Sequence, residues 1–201
     1  MTAPCRRPAR AWRRLPLAAF AALALWAGAA KAQESATPPP PEPEGYRFEP
    51  YRAPTPETLS GARVLTVQEA EALWREKAAV FVDVLPRPPR PASLPAGTLW
   101  RDPPHETIPG AVWLPNVGFG ALDASTERYF AEGLAAASGG DRARPLVIFC
   151  LKDCWMSWNA AKRALAAGYG RVAWFPTGVD GWKAAGLPLA EAGPWQGEAA
   201  R

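Results

Sequence analysis

Two cysteines stand four residues apart in the segment C-L-K-D-C-W-M, residues 150–156, directly after an apolar run. A thiolate is both a nucleophile and a metal ligand, and a second thiol nearby can resolve or relay what the first takes up. The pair therefore admits three chemistries: a persulfide or thiolate centre at Cys150 with Cys154 as partner, a reversible dithiol, and a Cu(I) site that adds the Met156 thioether. The alternative without chemistry is a structural disulfide or a pair of inert core thiols.

The elements around Cys150 favour reactivity at that residue. Residues 145–149 are typical of a buried parallel strand, and residues 157–168 predict a helix that ends at a glycine. Ligands of open parallel sheets bind at the carboxyl ends of the strands, and the free N–H groups at a helix N-terminus stabilise an anion. We therefore expect Cys150 to be the nucleophile, with Cys154 near enough to form a disulfide with it.

Strands and helices are predicted to alternate along the chain from residue 59. The strands are 63–65, 79–85, 111–114 and 145–149, and the helices are one that opens at Thr66, one over 123–137 and one over 157–168. Thr66 and Glu69 have the spacing of a capping box. Residues 86–104 are rich in proline and predict a long irregular insertion. This alternation predicts an α/β fold.

The basic residues behind the formal charge of +4 are concentrated at the front of the chain. Residues 1–32 hold six Arg and Lys, no Asp or Glu, an apolar run over 15–30 and the tripeptide A-K-A at 30–32. These features predict a secretory signal cleaved after Ala32, with an uncleaved anchor as the alternative. The expected location is the periplasm, with no membrane span after cleavage.

Removal of the signal changes the charge and the cysteine count. Beyond residue 32, 17 Lys and Arg stand against 19 Asp and Glu, so the net charge is −2 and nucleic acid is not an expected partner. Cys5 leaves with the signal, which leaves Cys150 and Cys154 in a compartment that oxidises exposed thiols. With His105 as the single histidine and no C-x-x-C before it, we expect neither a c-type haem nor a zinc site, and no cofactor.

Residues 33–58 contain a run of four prolines and further prolines beyond it, which predicts an extended linker. A second interpretation is that this segment lies across the domain as a strap, because a solvated linker has little use for its aromatic residues Tyr46, Phe48 and Tyr51. The globular domain is predicted over 59–192, with a C-terminal tail over 193–201.

Residues of about 60–190 resemble the rhodanese-like domains. The resemblance is carried by V-F-V-D-V, I-P-G-A-V-W-L-P at 108–115, the strand–Cys–loop–helix unit, the R-V-A-W-F run at 171–175 and G-V-D-G-W at 178–182. It implies a three-layer fold with a mostly parallel central sheet and helices on both faces. It also implies that Cys150 occupies the position of the persulfide-carrying cysteine of sulfurtransferases.

The C-x-x-x-C-W loop and the P-R-P-P-R-P segment resemble, more narrowly, exported rhodanese-like proteins named for a CXXCW motif and associated with catabolism dependent on pyrroloquinoline quinone (PQQ). That resemblance implies an accessory role in sulfur transfer or thiol redox chemistry near a quinoprotein dehydrogenase system. The expected partner is an exported protein or a small sulfur or thiol substrate, and PQQ itself is not expected to bind this chain. The competing interpretation is a non-catalytic binding module with a structural Cys150–Cys154 disulfide.

The loop departs from the phosphatases and arsenate reductases that share this fold. It is one residue longer than the usual sulfurtransferase loop, a length that resembles the loops of those enzymes, but Met156 stands where they have an anion-binding arginine. Lys152 is the remaining cation in the loop, without the bidentate fork of arginine. Phosphate and arsenate chemistry is therefore not expected, and thiosulfate binding loses support. The predicted active-site loop comprises Leu151, Lys152, Asp153, Trp155, Met156 and Ser157.

Predictions also follow for seven residues in the loop and elsewhere in the domain. Asp83 ends a predicted strand, and its carboxylate would raise the pKa of Cys150 if close. Trp155 and Trp158 either line a pocket for an apolar or quinonoid partner or pack in the core. Asp83 and Trp158 are the candidates for lining a pocket beside the cysteines. Asp180 is expected in a turn or cap, and His105 at the surface, with a general-base role as its alternative. Trp74 and Trp113 are expected in the core.

Overall fold

The computed structural model describes residues 38–101 and 103–197. The predicted signal, with its cleavage after Ala32, lies outside these residues. Among the described residues, no helix has the length and apolar character needed to cross a membrane.

The central sheet has five parallel strands in the order β1-β6-β5-β2-β4. These strands are β1 Arg63–Val64, β2 Val80–Asp83, β4 Val112–Trp113, β5 Leu146–Phe149 and β6 Val172–Phe175. A separate antiparallel pair joins β3 Glu106–Thr107 to β7 Ala190–Glu191. In the register of the central sheet, Asp83 at the end of β2 lies opposite Phe149 at the end of β5, so Asp83 and Cys150 meet at the same edge.

Four helices within the described residues cover the two faces of this sheet. They are α1 Val67–Arg75, α2 Ala124–Ser138, α3 Trp155–Ala166 and α4 Gly178–Ala184. Apolar residues of α2 and α3 pack in one core cluster, and those of α1 and α4 pack in another. The predicted α/β fold, with a mostly parallel sheet between two helical layers, is confirmed.

The alternation of side chains along β5 explains why its sequence is apolar throughout. Leu146 and Ile148 enter the cluster with α2 and α3, while Val147 and Phe149 enter the cluster with α1 and α4. A strand covered on both faces needs no polar positions. Cys150 continues the alternation and belongs to the cluster on the α3 side.

The helix ends follow the predicted capping chemistry in α1 and depart from it in α3. The Thr66 side chain accepts from the Glu69 backbone N–H and the Glu69 side chain accepts from the Thr66 backbone N–H, which completes the capping box. Helix α3 begins at Trp155, two residues before the predicted start, with Cys154 in extended geometry as its N-cap. This places Cys154 itself at the helix N-terminus.

Residues 38–58 of the Pro-rich segment contact helix α3, which agrees with the interpretation of this segment as a strap across the domain. Asn159 is buried and holds Arg47 twice: its Oδ1 accepts from the Arg47 backbone N–H at 2.9 Å, and its Nδ2 donates to the Arg47 carbonyl at 2.8 Å. Trp158 Nε1 donates to the Thr58 carbonyl at 3.1 Å. We call residues 38–58 the strap.

The start of the predicted C-terminal tail also packs on the domain. The Trp195 backbone N–H donates to the Trp113 carbonyl at 2.8 Å, and Tyr129 Oη donates to the Trp195 carbonyl at 3.0 Å. Residues 194 and 195 therefore extend the fold along the β4 edge of the sheet.

Candidate functional site

The two cysteines lie at the carboxyl edge of the central sheet, where β5 gives way to α3. Cys150 is 0% exposed and Cys154 is 2% exposed, and both are free thiols. The chain between them turns through Asp153, whose φ of 54° lies in the left-handed region. The predicted thiol pair is thus brought together at the predicted edge, beneath the surface of the domain.

Residues 178–180 fix the first half of the loop. The Val179 N–H donates to the Cys150 carbonyl at 2.9 Å, and Asp180 Oδ2 accepts from the Lys152 N–H at 3.0 Å. Gly178 has a φ of 47°, and a Cβ built on it would overlap the Cys150 carbonyl, so glycine is required there. Asp180, expected in a turn or cap, lies in the first turn of α4 and fastens the reactive loop.

Ser157 fixes the second half of the loop. Its hydroxyl donates to the Cys154 carbonyl at 3.0 Å and accepts from Trp174 Nε1 at 3.0 Å. Both Ser157 and Trp174 are fully buried, so Cys154 is oriented from inside the core. The function of Ser157 in this loop is to position Cys154.

The pKa values of the two thiols move in opposite directions. The Cys150 thiol donates to Cys154, and with backbone N–H groups that include those of Met156 and Ser157 it lowers the pKa of Cys154 to about 7 against the effect of burial. Burial raises the pKa of Cys150 well above its usual range, and the adjacent Cys154 and the Asp83 carboxylate raise it further. These opposite directions favour negative charge on Cys154 over negative charge on Cys150.

This arrangement corrects the expectation that the helix N-terminus serves Cys150. Because α3 begins at Trp155, the N–H groups of its first turn that have no acceptor within the helix lie next to the N-cap residue Cys154. Cys150 precedes the loop, at the end of β5, and both cysteines belong to the apolar cluster between the sheet and α3. The thiolate-stabilising position belongs to Cys154.

Asp83 is the centre of a buried polar network beside the thiols. Its Oδ2 accepts from Thr107 Oγ1 at 2.6 Å and contacts His105 Nε2 at 2.8 Å, and its Oδ1 accepts from the Leu85 N–H at 2.8 Å. Asp83 is fully buried, so the pocket-lining prediction for it is corrected. Its predicted effect on Cys150, a raised pKa, is the direction found.

The prediction that His105 lies at the surface is wrong. Its side chain is 9% exposed and stacks on the Trp113 ring, with the ring centroids 3.9 Å apart and the planes inclined by 22°. The cause is the short β3–β7 pair, which starts at Glu106 and draws the end of the insertion against the sheet. His105 and Thr107 are site residues without a clear sequence signal, since their partners lie more than 20 residues away.

The tryptophans near the loop are packed rather than exposed to a cavity. Trp158 is fully buried, with its Nε1 bonded to the strap, which corrects its pocket-lining prediction. Trp155 is buried beside it, with the ring centroids 5.6 Å apart. Trp113 is in the core as predicted, and Trp74 is half-buried against Trp182.

The remaining loop residues offer little to an anion or a metal ion. Met156 is buried against the backbone at Gly118, and Lys152 is exposed. Leu151 packs into both core clusters, and its backbone bridges to Gly178. Over the described ranges, no group of three or more His, Cys, Asp and Glu residues is placed to hold a metal ion.

No protein-family model and no curated protein matches this sequence. Among solved structures, a thiosulfate sulfurtransferase from Pseudomonas aeruginosa matches 66% of this chain and 21% of its own, with 20% identity and a TM-score of 0.45. Wild-type EanB matches 71% of this chain and 34% of its own, with 21% identity and a TM-score of 0.45. An uncharacterized Saccharomyces cerevisiae protein matches 63% of this chain and 95% of its own, with 18% identity and a TM-score of 0.39.

This chain thus spans about a fifth of the length of the sulfurtransferase and about a third of the length of EanB. At these identities, what the site does has to be judged from its own residues.

Proposed function

We propose that this chain is an exported rhodanese-like protein that carries out sulfur transfer or thiol exchange on the Cys150–Cys154 pair. The observation that supports the proposal is the placement of two free thiols at the carboxyl edge of the sheet, with Cys154 at the N-terminus of α3. A thiolate attacks sulfur, and a protonated neighbour supplies the proton and the second sulfur that complete an exchange. Inert core cysteines have no need of a thiolate at a helix N-terminus.

In sulfur transfer, the Cys154 thiolate attacks the sulfane sulfur of a donor. The donor's leaving group departs with the electron pair of the broken bond, and Cys154 carries a persulfide. An acceptor nucleophile then takes the terminal sulfur and regenerates the thiolate. Alternatively, Cys150 attacks the Cys154 sulfur, which forms the disulfide and expels hydrosulfide, with the Cys150 proton leaving on that group.

In thiol exchange, the same pair reduces a partner's disulfide. Cys154 attacks one partner sulfur and forms a mixed disulfide, and Cys150 then attacks Cys154 to release the partner's second thiol. Two electrons move from the pair to the partner, and the pair becomes a disulfide. The two modes share the nucleophile Cys154 and differ in whether a single sulfur atom or an electron pair is delivered.

The proposed setting is the periplasm, as an accessory to PQQ-dependent alcohol catabolism, with an exported protein or a small sulfur compound as partner. It is supported by the signal-like residues 1–32 and by the C-x-x-x-C-W resemblance. Deletion of the gene should impair growth on alcohols oxidised by a quinoprotein dehydrogenase, and a copy with Cys154→Ser should fail to restore it. Normal growth of the deletion strain would remove the quinoprotein setting and leave the thiol chemistry to be tested separately.

Intact mass of the protein purified from the periplasm, before and after reductant, tests the chemistry. An extra sulfur atom that reductant removes indicates a standing persulfide, and a loss of two hydrogen atoms relative to the reduced form indicates a disulfide. A disulfide that no physiological thiol reduces would support the binding-module alternative instead. The Cu(I) alternative predicts that a metal ion co-purifies with the two thiols and Met156.

A further inference from the structure

The proposed chemistry requires an outside molecule to reach a sulfur atom, yet neither sulfur is open to solvent. Cys150 is 0% exposed and Cys154 is 2% exposed. Some part of the structure must therefore move before a donor or a partner can meet the pair. The segment that moves has to lie over Cys154 and has to leave without dismantling the sheet.

Strap residues 51–53 are the backbone that lies over Cys154. They run antiparallel to residues 153–155, with Arg52 bridged to Cys154. The Ala53 N–H donates to the Asp153 carbonyl at 3.1 Å, and the Trp155 N–H donates to the Tyr51 carbonyl at 2.9 Å. The strap thus pairs with the second half of the reactive loop as a short strand would.

The Tyr51 carbonyl accepts a hydrogen bond from the Trp155 N–H, a donor at the N-terminus of α3 that would otherwise be available to a ligand. Trp155 is the first residue of α3, and its N–H is one of the groups without an acceptor inside the helix. Such groups are the ones that bind an incoming anion. An anionic sulfur donor and the strap therefore compete for the same N–H beside Cys154.

Besides its pairing with residues 153–155, the strap is held at this point by three further contacts and by the packing of Tyr51 and Ala53 against the core cluster on the α3 side. Trp155 Nε1 donates to the Pro54 carbonyl at 3.1 Å, the Gly120 N–H donates to Tyr51 Oη at 3.1 Å, and the Tyr51 ring packs edge-on to Phe119. Residues 51–54 belong to neither of the two sheets. Their release breaks these contacts and leaves all strand pairs in place.

We propose that residues 51–54 are a removable cover that keeps the thiol pair inactive until it opens locally. In the closed form the cover shields Cys154 and takes the Trp155 N–H. In the open form both become available while the sheet and the helices stay folded. The purpose of the cover rests on the proposed function, but its opening is a property of the fold and is measured without a substrate.

Alkylation by iodoacetamide of the protein carrying Cys5→Ser, so that Cys150 and Cys154 are its two thiols, reports the opening when followed by intact mass. When opening is rare and reclosing is fast, the rate is proportional to the open population. Ala53→Pro removes the N–H that donates to Asp153, and Tyr51→Phe removes the oxygen that accepts from Gly120. Each loss should raise the alkylation rate about fivefold, the factor that corresponds to one hydrogen bond.

Low urea concentrations separate local from global opening. Opening of four residues exposes little surface, so the wild-type rate should barely change between zero and moderate urea. Glu57→Ala is the matched control, because Glu57 is an exposed strap residue outside the covering segment. It should alkylate at the wild-type rate.

Unchanged rates in both Ala53→Pro and Tyr51→Phe, with folding intact by circular dichroism, would overturn the cover. A wild-type rate that follows the urea dependence of global unfolding would overturn it as well. Failure of the proposed function looks different: the variants still alkylate faster, but the protein neither takes up sulfur from a donor nor reduces a partner disulfide.

Discussion

At the scale of single residues, the site depends on which of two adjacent thiols carries the negative charge. The Cys154 sulfur is stabilised by the Cys150 thiol and by N–H groups of the first turn of α3. Cys150 is buried beside the Asp83 carboxylate, which holds its proton in place. Two chemically identical side chains thereby acquire separate functions from their surroundings.

The pH dependence of alkylation should distinguish the two thiols. The wild-type rate should rise with a midpoint near pH 7, the pKa of Cys154. Cys150→Ser should keep reactivity at pH 7, while Cys154→Ser should be at least tenfold slower there, because a thiol whose pKa is raised above its usual range is less than about 1% ionised at pH 7. Reactivity at pH 7 that is lost in Cys150→Ser and retained in Cys154→Ser would reverse the assignment.

The effect of Asp83 on Cys150 is testable in the Cys154→Ser background. Asp83→Asn removes a buried negative charge, so the pKa of Cys150 should fall and its alkylation should begin at lower pH. The same change should lower the free energy of unfolding by about 1–3 kcal/mol, because hydrogen bonds from three neighbours are weakened. Asp141→Asn, at an exposed turn before β5, is the control and should change neither property.

At the scale of elements, the strand-to-helix unit places the thiols and α4 secures the loop. Gly178 at the start of α4 approaches the Cys150 carbonyl too closely for any side chain. The reactive loop and α4 are therefore fitted to each other through backbone atoms. The loop conformation is a consequence of this fit as much as of the loop's own sequence.

Gly178→Ala should disrupt the loop. The added Cβ overlaps the Cys150 carbonyl and the φ of 47° is strained for alanine, so we expect a loss of about 2–4 kcal/mol in the free energy of unfolding. Gly170→Ala is the matched control, since nothing lies within 4 Å of its added Cβ. Urea unfolding measures both, and equal midpoints for the two variants would contradict the fit between loop and α4.

The elements that could be predicted from the sequence are those specified by residues close together in the chain. The apolar runs of β2 and β5 and the capping box at Thr66 involve only neighbouring residues, and all three are confirmed. The predicted start of α3 at Ser157 lies two residues after the observed start at Trp155. The reason is that cysteine is not a preferred N-cap residue, whereas serine is. With the helix start placed at Ser157, the sequence does not indicate that Cys154 lies at the helix N-terminus.

At the scale of the whole molecule, distant segments complete the site. His105 reaches Asp83 from the far end of the insertion, and the strap reaches Cys154 from 102 residues earlier in the chain at Arg52. Pairings of this length leave no periodic trace in a sequence. The sequence placed the cysteines at the correct edge of the sheet but could not show what lies over them.

Asn159 is the main anchor of the strap on α3. It is fully buried and bonds Arg47 with both ends of its amide and Gly118 through Nδ2. Asn159→Ala leaves these backbone groups without partners, so the free energy of unfolding should fall by about 2–4 kcal/mol. Gln196→Ala, at an exposed residue, should cost less than about 0.5 kcal/mol. Similar urea midpoints for the two variants would mean that the strap adds little to stability.

The most direct test of the central claim is the intact mass of the protein in a Cys5→Ser background after incubation with a sulfane-sulfur donor. We predict that Cys150→Ser gains the mass of one sulfur atom that cyanide or reductant removes, and that Cys154→Ser gains none. The wild type should gain the same sulfur or convert it to a disulfide with loss of hydrosulfide. Sulfur uptake by Cys154→Ser at the rate of Cys150→Ser, or by no form of the protein, would contradict the assignment of Cys154 as the sulfur-carrying thiolate.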